Sequence, residues 1–188
     1  MSQSNHSYAT VRADTRDDDP LYQALHQVLE QCRTVLEACG SDAFYAAQDG
    51  GHSGIGPHMR HVLEHFDVFL KALDTGLVDY EARARDKRLE TSVEAADEAI
   101  NALRDCVEQT CFSRLDQSLT VRESPMADLT QVEFQSTIGR EWLFLIHHTV
   151  HHLALIKNLA RHKGVELPAH LGVAAATLQY ERSQAQAG

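Results

Sequence analysis

The sequence predicts an all-α protein: a four-helix bundle, with a short β-hairpin between its third and fourth long helices. Three observations carry that prediction. Four segments of roughly twenty residues place apolar side chains at helical spacing. Glycine or proline stands where most of them begin or end. Between the third and the fourth, the apolar period shortens from about 3.6 residues to 2.

Residues 1–19 are polar and run into Asp17-Asp18-Asp19, which reads as a mobile tail ahead of a helical domain over 20–180 and a C-terminal tail over 181–188. The opening stretch has no apolar h-region, which argues against a secretory leader. The first helix starts at Pro20, where a missing N–H costs little, and Leu21, Leu25, Val28, Leu29, Cys32, Val35 and Leu36 form its stripe up to Gly40. A loop over 41–53 with a Gly50-Gly51 turn follows. Ser53 is the expected cap of the second helix, whose stripe includes Met59, Val62, Phe66 and Phe69 before Thr75-Gly76 ends it.

Residues 79–91 form a highly charged connection. The third helix runs from about Ser92 to Ser113 on Val93, Ala96, Ile100, Leu103 and Val107. Leu119 and Val121, then Val132 and Phe134, alternate with polar residues around Ser124-Pro125, the signature of the hairpin. Ser136 or Thr137 caps the fourth helix, which ends near Gly164, and one short helical turn is expected around 174–178.

Composition narrows the function. No apolar run reaches the length of a membrane span. The net charge of −10, with histidine neutral, argues against nucleic acid and against an anionic membrane surface as partners. The four cysteines, Cys32, Cys39, Cys106 and Cys111, form no C-x-x-C pair. They read as reduced core residues, which points to the cytoplasm.

Chemistry concentrates in the histidines. The run His147-His148-Thr149-Val150-His151-His152 lies inside the apolar stretch of the fourth helix. At about 100° per residue, His148 and His152 fall near the middle of the apolar face and His147 falls to its side. His151 is intermediate and can orient a ligand. The second helix carries His58, His61 and His65 at spacings of three and four, with Glu64 among them. One imidazole from that stripe, with His148 and His152, makes three nitrogen ligands and leaves a position open, as in catalytic zinc sites. The residues alone do not choose among His58, His61 and His65. A di-iron carboxylate bundle is disfavoured, because no Glu is followed by His three positions later.

Two motifs carry a family resemblance. Gly54-Ile55-Gly56-Pro57-His58-Met59-Arg60-His61-Val62 resembles the second-helix motif of the DinB/YfiT-like metalloenzymes. His148-Thr149-Val150-His151-His152 resembles that family's H-x-x-H-H motif. The resemblance spans about Leu21 to Tyr180, and Tyr80 to Thr91 and Ser136 to Trp142 are similar to an uncharacterised bacterial branch of the family. It implies a four-helix bundle, often a homodimer, and a three-histidine site for a divalent ion, zinc or nickel, on His61, His148 and His152. Some relatives are thiol-dependent S-transferases or isomerases that use low-molecular-weight thiols such as bacillithiol or mycothiol.

The expected function is metal-dependent chemistry on a small molecule, either thiol transfer or hydrolysis. His58, Glu64, His65 and His151 are candidates to orient a ligand or carry a proton, and Arg83 and Arg85 to recognise an anionic group. The alternative is a non-catalytic helical bundle that binds a metal or other ligand.

Overall fold

The computed structural model describes residues 16–47, 54–109, 114–126 and 130–187. They form a mostly helical protein with a small three-stranded sheet. After a single 3₁₀ turn at Arg16–Asp18, α1 spans Pro20–Cys39. Asp19 caps it, its carboxylate accepting from Leu21 N at 2.8 Å, and Pro20 has no N–H to satisfy. Gly40, at φ 66°, takes the left-handed conformation that ends the helix.

Where a loop was expected, a short α2 spans Asp42–Ala46, capped by Ser41. Then α3 spans Ile55–Thr75, with Gly54 at its N-cap. The expected Ser53 cap and Gly50-Gly51 turn lie outside the described residues. A strand β1 (Leu77–Asp79) leads through the charged connection to a single helical turn α4 (Arg88–Thr91), followed by α5 (Val93–Gln109). Strands β2 (Ser118–Glu123) and β3 (Val132–Thr137) precede α6 (Ile138–His162), which the Thr137 hydroxyl caps by accepting from Arg140 N at 3.2 Å. Finally α7 spans Ala175–Ala187, longer than the single turn expected there.

The all-α expectation is corrected by the sheet. The expected hairpin is present as β2 and β3, antiparallel in register from Ser118 opposite Thr137 to Glu123 opposite Val132. The strand that was not expected is β1, which pairs parallel to β2 from Leu77 opposite Thr120 to Asp79 opposite Arg122. Three residues show no alternation, and their partners lie about forty positions away.

The four long helices share one core. α1 packs against α5 and α6, and α3 packs against the same two. Leu25, Leu29, Met59, Phe66, Ile100, Trp142 and Ile156 are fully buried in it. Phe69 meets the Trp142 ring edge-on at 4.7 Å. Each such side chain contributes roughly 1.5–3 kcal/mol of transfer free energy. Gly56 lets α4 lie against the start of α3, because a Cβ there would stand 2.0 Å from Glu90 O. This contact sets the path of the charged connection over the end of α3 that bears His58 and His61.

Cys32 and Cys39 are free and buried, and burial pushes their thiols up to about 12 and about 11, which disfavours thiolate chemistry. Cys106 is exposed rather than in the core, and Cys111 lies outside the described residues. Among the described residues, no helix is long and apolar enough to cross a membrane.

Candidate metal centre

Helix α3 carries His58, His61 and His65 along one stripe, and α6, packed against it, carries His148 and His152 one turn apart. The facing stripes bring five imidazoles into one cluster. Ring centroids stand 5.0 Å apart for His61 and His148, 4.6 Å for His61 and His152, 4.5 Å for His148 and His152, and 4.4 Å for His65 and His148. His58 Nδ1 lies 3.0 Å from His152 Nδ1. The ligand atoms of His61, His65 and His148 all lie within 4.8 Å of one another. Imidazole nitrogens held ~2.0–2.1 Å from a tetrahedral zinc would stand about 3.4 Å apart, so holding one ion would require these rings to turn inward.

His147 is exposed, as the helical-face argument expects, and His151 is exposed with its ring 5.3 Å from His152. The other five are held neutral. Burial is the first cause for each; neighbouring imidazoles add to it, and Arg83 does so at His61, His65 and His148. His61 falls to about 2, His65 and His152 to about 3, and His148 to about 4. His58 is lowered too, by burial and then by His151. At neutral pH the cluster therefore presents lone pairs rather than cations.

Two of these histidines are in contrasting states. His65 has both nitrogens engaged: Nδ1 lies 2.6 Å from His61 O and Nε2 lies 3.1 Å from Arg83 Nη1. A guanidinium only donates, so Nε2 accepts and Nδ1 carries the proton that His61 O receives. Both contacts demand the same tautomer. His148 Nε2, by contrast, is buried with no hydrogen-bond partner among the described residues. A polar atom in that position costs about 1–3 kcal/mol unless something satisfies it. Neutral imidazoles with one orphaned, inward nitrogen fit a borderline divalent cation.

The surroundings fix the rings. Phe144 stacks on His148 at 5.4 Å, and Tyr80 stacks on His65 at 5.2 Å. The Tyr80 hydroxyl donates to Glu141 Oε2 at 2.8 Å, and Glu141 Oε1 accepts from Ser136 Oγ at 2.6 Å and Arg140 Nη1 at 2.7 Å. Sequence reasoning missed Tyr80, Phe144 and the support that Glu141 gives Tyr80. A usable signal was present, since Phe144 lies one turn, and Glu141 two turns, before His148 on α6.

Glu64 is buried, but its Oε1 accepts from Asp86 N at 2.7 Å, so it pins the charged connection instead of bonding a histidine. Beside it, Arg60 Nη1 meets Glu90 Oε2 at 2.7 Å. The pinned connection delivers Arg83 to the cluster. Arg85 is exposed, at φ 54°, with Nη1 3.5 Å from Arg83 O.

The profile of the DinB superfamily matches residues 24–156. The chain is also 32% identical, over 109 residues, to a Rhizopus delemar protein called FK506-binding protein 5. That alignment covers 57% of this chain and 28% of the fungal protein, so the chain spans well under two thirds of its relative. No solved structure matches the chain.

Proposed function

The chain belongs to the DinB superfamily, and from that premise we propose that it is a divalent-metal-dependent enzyme acting on a small molecule through an open three-histidine site. The observation that carries this reading is the buried, unpartnered Nε2 of His148 within a cluster of neutral imidazoles. The proposed fold is the four-helix bundle of the DinB/YfiT-like type, elaborated by the small sheet. The proposed ligands are His61, His148 and His152, and zinc or nickel suits imidazole donors.

An ion held by three neutral ligands keeps its positive charge, and when bound it supplies a Lewis acid that makes water or a thiol nucleophilic near neutral pH. The chain's own residues prepare the site. Phe144 sets the His148 ring. His58 sets His152: a proton on His152 Nδ1, donated to His58 Nδ1, leaves the His152 Nε2 lone pair for the ion. Arg83, with Arg85 at the surface, offers positive charge to an anionic substrate group. The reaction classes that fit are thiol transfer from a low-molecular-weight thiol, and hydrolysis. A cytoplasmic homodimer belongs to the same reading, and light scattering tests the dimer.

A non-catalytic metal- or ligand-binding bundle is the second reading, and His65 favours it. Its ligand atom lies within 4.8 Å of those of His61 and His148, a group of three that does not include His152, so His65 together with His152 would bring the donors to four. A shell of four imidazoles is closed, and closed shells are structural.

Elemental analysis of untagged protein tests the site, comparing wild type with His61→Ala, His148→Ala, His152→Ala and His147→Ala. We expect metal in wild type and in His147→Ala, with loss in the other three. Unchanged stoichiometry and affinity in His148→Ala would overturn the site. Screens for thiol conjugation and hydrolysis with loaded protein then separate the two readings.

A further inference from the structure

Arg83 is a half-buried guanidinium with no carboxylate partner among the described residues. The acids around it have contacts of their own: Glu64 Oε1 accepts from Asp86 N while its Oε2 lies 3.8 Å from Arg60 Nε without a hydrogen bond, Glu90 pairs with Arg60 and Lys87, Asp86 with Arg88, and Glu81 bonds Ser124. Its recorded acceptors are Tyr80 O, at 2.8 Å, and His65 Nε2. Both bonds come from Nη1, so a carboxylate that takes Nη1 and Nη2 end-on, in two parallel bonds, displaces His65.

The lone pair that Arg83 holds is the one a metal would need from His65. Nδ1 of that ring is committed to His61 O, which leaves Nε2 as its ligand atom. The His65 ligand atom is also within 4.8 Å of those of His61 and His148. Guanidinium and metal therefore compete for one pair of electrons.

We propose that Arg83 is a latch: it withholds His65 Nε2 from the metal until a small carboxylate-bearing ligand takes the guanidinium, and His65 then joins the coordination shell. The proposal rests on the metal site proposed above. It adds a substrate or effector class, small carboxylates, and a coupling between that ligand and the number of imidazoles on the metal. Coupling between two binding events is reciprocal, so carboxylate tightens metal binding by the same factor that metal tightens carboxylate binding.

The test is Co²⁺ titration of the full chain, followed by visible absorption, in sodium acetate and in sodium chloride at equal ionic strength. In wild type we expect acetate to tighten Co²⁺ binding about tenfold, within the usual range of such couplings, and to change the absorption band as a ligand is added. Arg83→Gln should bind Co²⁺ in chloride as tightly as wild type does in acetate, and should not respond to acetate. His65→Gln should ignore acetate. An acetate effect that persists in Arg83→Gln or His65→Gln overturns the latch. Binding that depends on His148 but ignores both acetate and Arg83→Gln overturns the latch and leaves the metal site standing. Absence of Co²⁺ binding in wild type sinks the metal site, and the latch with it. If Arg83→Gln does not fold, as judged by thermal melting, wild type against His65→Gln decides the question.

Discussion

Two polar clusters sit side by side where α6 meets α3 and the charged connection, and they are built on opposite principles. Around Glu141, which is 0% exposed, the chain supplies every partner: Tyr80 and Ser136 hydroxyls and the Arg140 guanidinium. Two turns further along α6, His148 keeps a buried nitrogen that nothing among the described residues satisfies. The clusters are joined through Tyr80, which donates to Glu141 and stacks on His65. The satisfied cluster is a fixture, and the unsatisfied one has the donors that the proposed metal would need.

The largest effect that tests this contrast is on metal affinity. Removing a supporting contact from a metal site costs roughly 10–100-fold in affinity, so deleting an actual ligand should cost more. His148→Ala is expected to weaken binding more than about 100-fold, measured by competition with a chelator of known affinity, while His147→Ala leaves it unchanged. Equal losses in both would dissolve the distinction between the inward and outward faces of α6.

Acid should separate the clusters next. The folded-state values of His61, His65, His148 and His152 lie at about 2 to about 4, below the ordinary value of 6.5 for an exposed imidazole. Between those limits the unfolded chain binds more protons than the folded one, so stability falls as pH falls. It is fully present above about pH 6.5 and is lost progressively below that value. Metal-free protein should therefore melt at lower temperature at pH 5 than at pH 7.5. Replacing His148 and His152 together by Leu should shrink that pH dependence. An undiminished acid sensitivity in the double variant would assign it to carboxylates instead.

The same contrast governs what could be read without coordinates. The long helices were legible because period and punctuation agree, as in Asp19-Pro20 and Gly40 around α1 or Thr137 before α6. The inward positions of His148 and His152 followed from the same geometry. Elements too short to show a period were not legible: α2, α4 and the three residues of β1, whose Val78 is set by pairing with Val121. Helix α7 was underestimated because its sequence is polar almost all round. The state of His65 was hidden for another reason. It depends on Arg83, which reaches it only because Glu64 pins the backbone at Asp86 and Gly56 admits α4.

A moderate loss is expected in the satisfied cluster. Glu141→Ala strands the Tyr80 and Ser136 hydroxyls, while Arg140, more than half exposed, turns to water. The buried Tyr80 donor costs about 1–3 kcal/mol when stranded and the half-buried Ser136 adds less, so chemical denaturation should show a loss of about 2–4 kcal/mol. Metal affinity should fall less than in His148→Ala, because Glu141 acts on the site only through the Tyr80 ring. A loss of metal as complete as that of His148→Ala would mean that the two clusters are one functional unit.

The smallest effect has the opposite sign, which makes it the sharpest test of the comparison. His148→Leu replaces a buried, unpartnered nitrogen with apolar atoms of similar bulk, in contact with the Phe144 ring. Removing an unsatisfied buried polar atom is neutral to stabilising, so metal-free protein should gain about 1 kcal/mol while it loses metal binding. No such gain is available at Glu141, where every substitution removes partners the chain has already provided. A natural side chain that lowers stability and is improved by an apolar substitute is held in place by a function other than folding. If His148→Leu destabilises the metal-free protein by as much as Glu141→Ala, then His148 is a structural residue like its neighbour, and the case for an open site fails at its central observation.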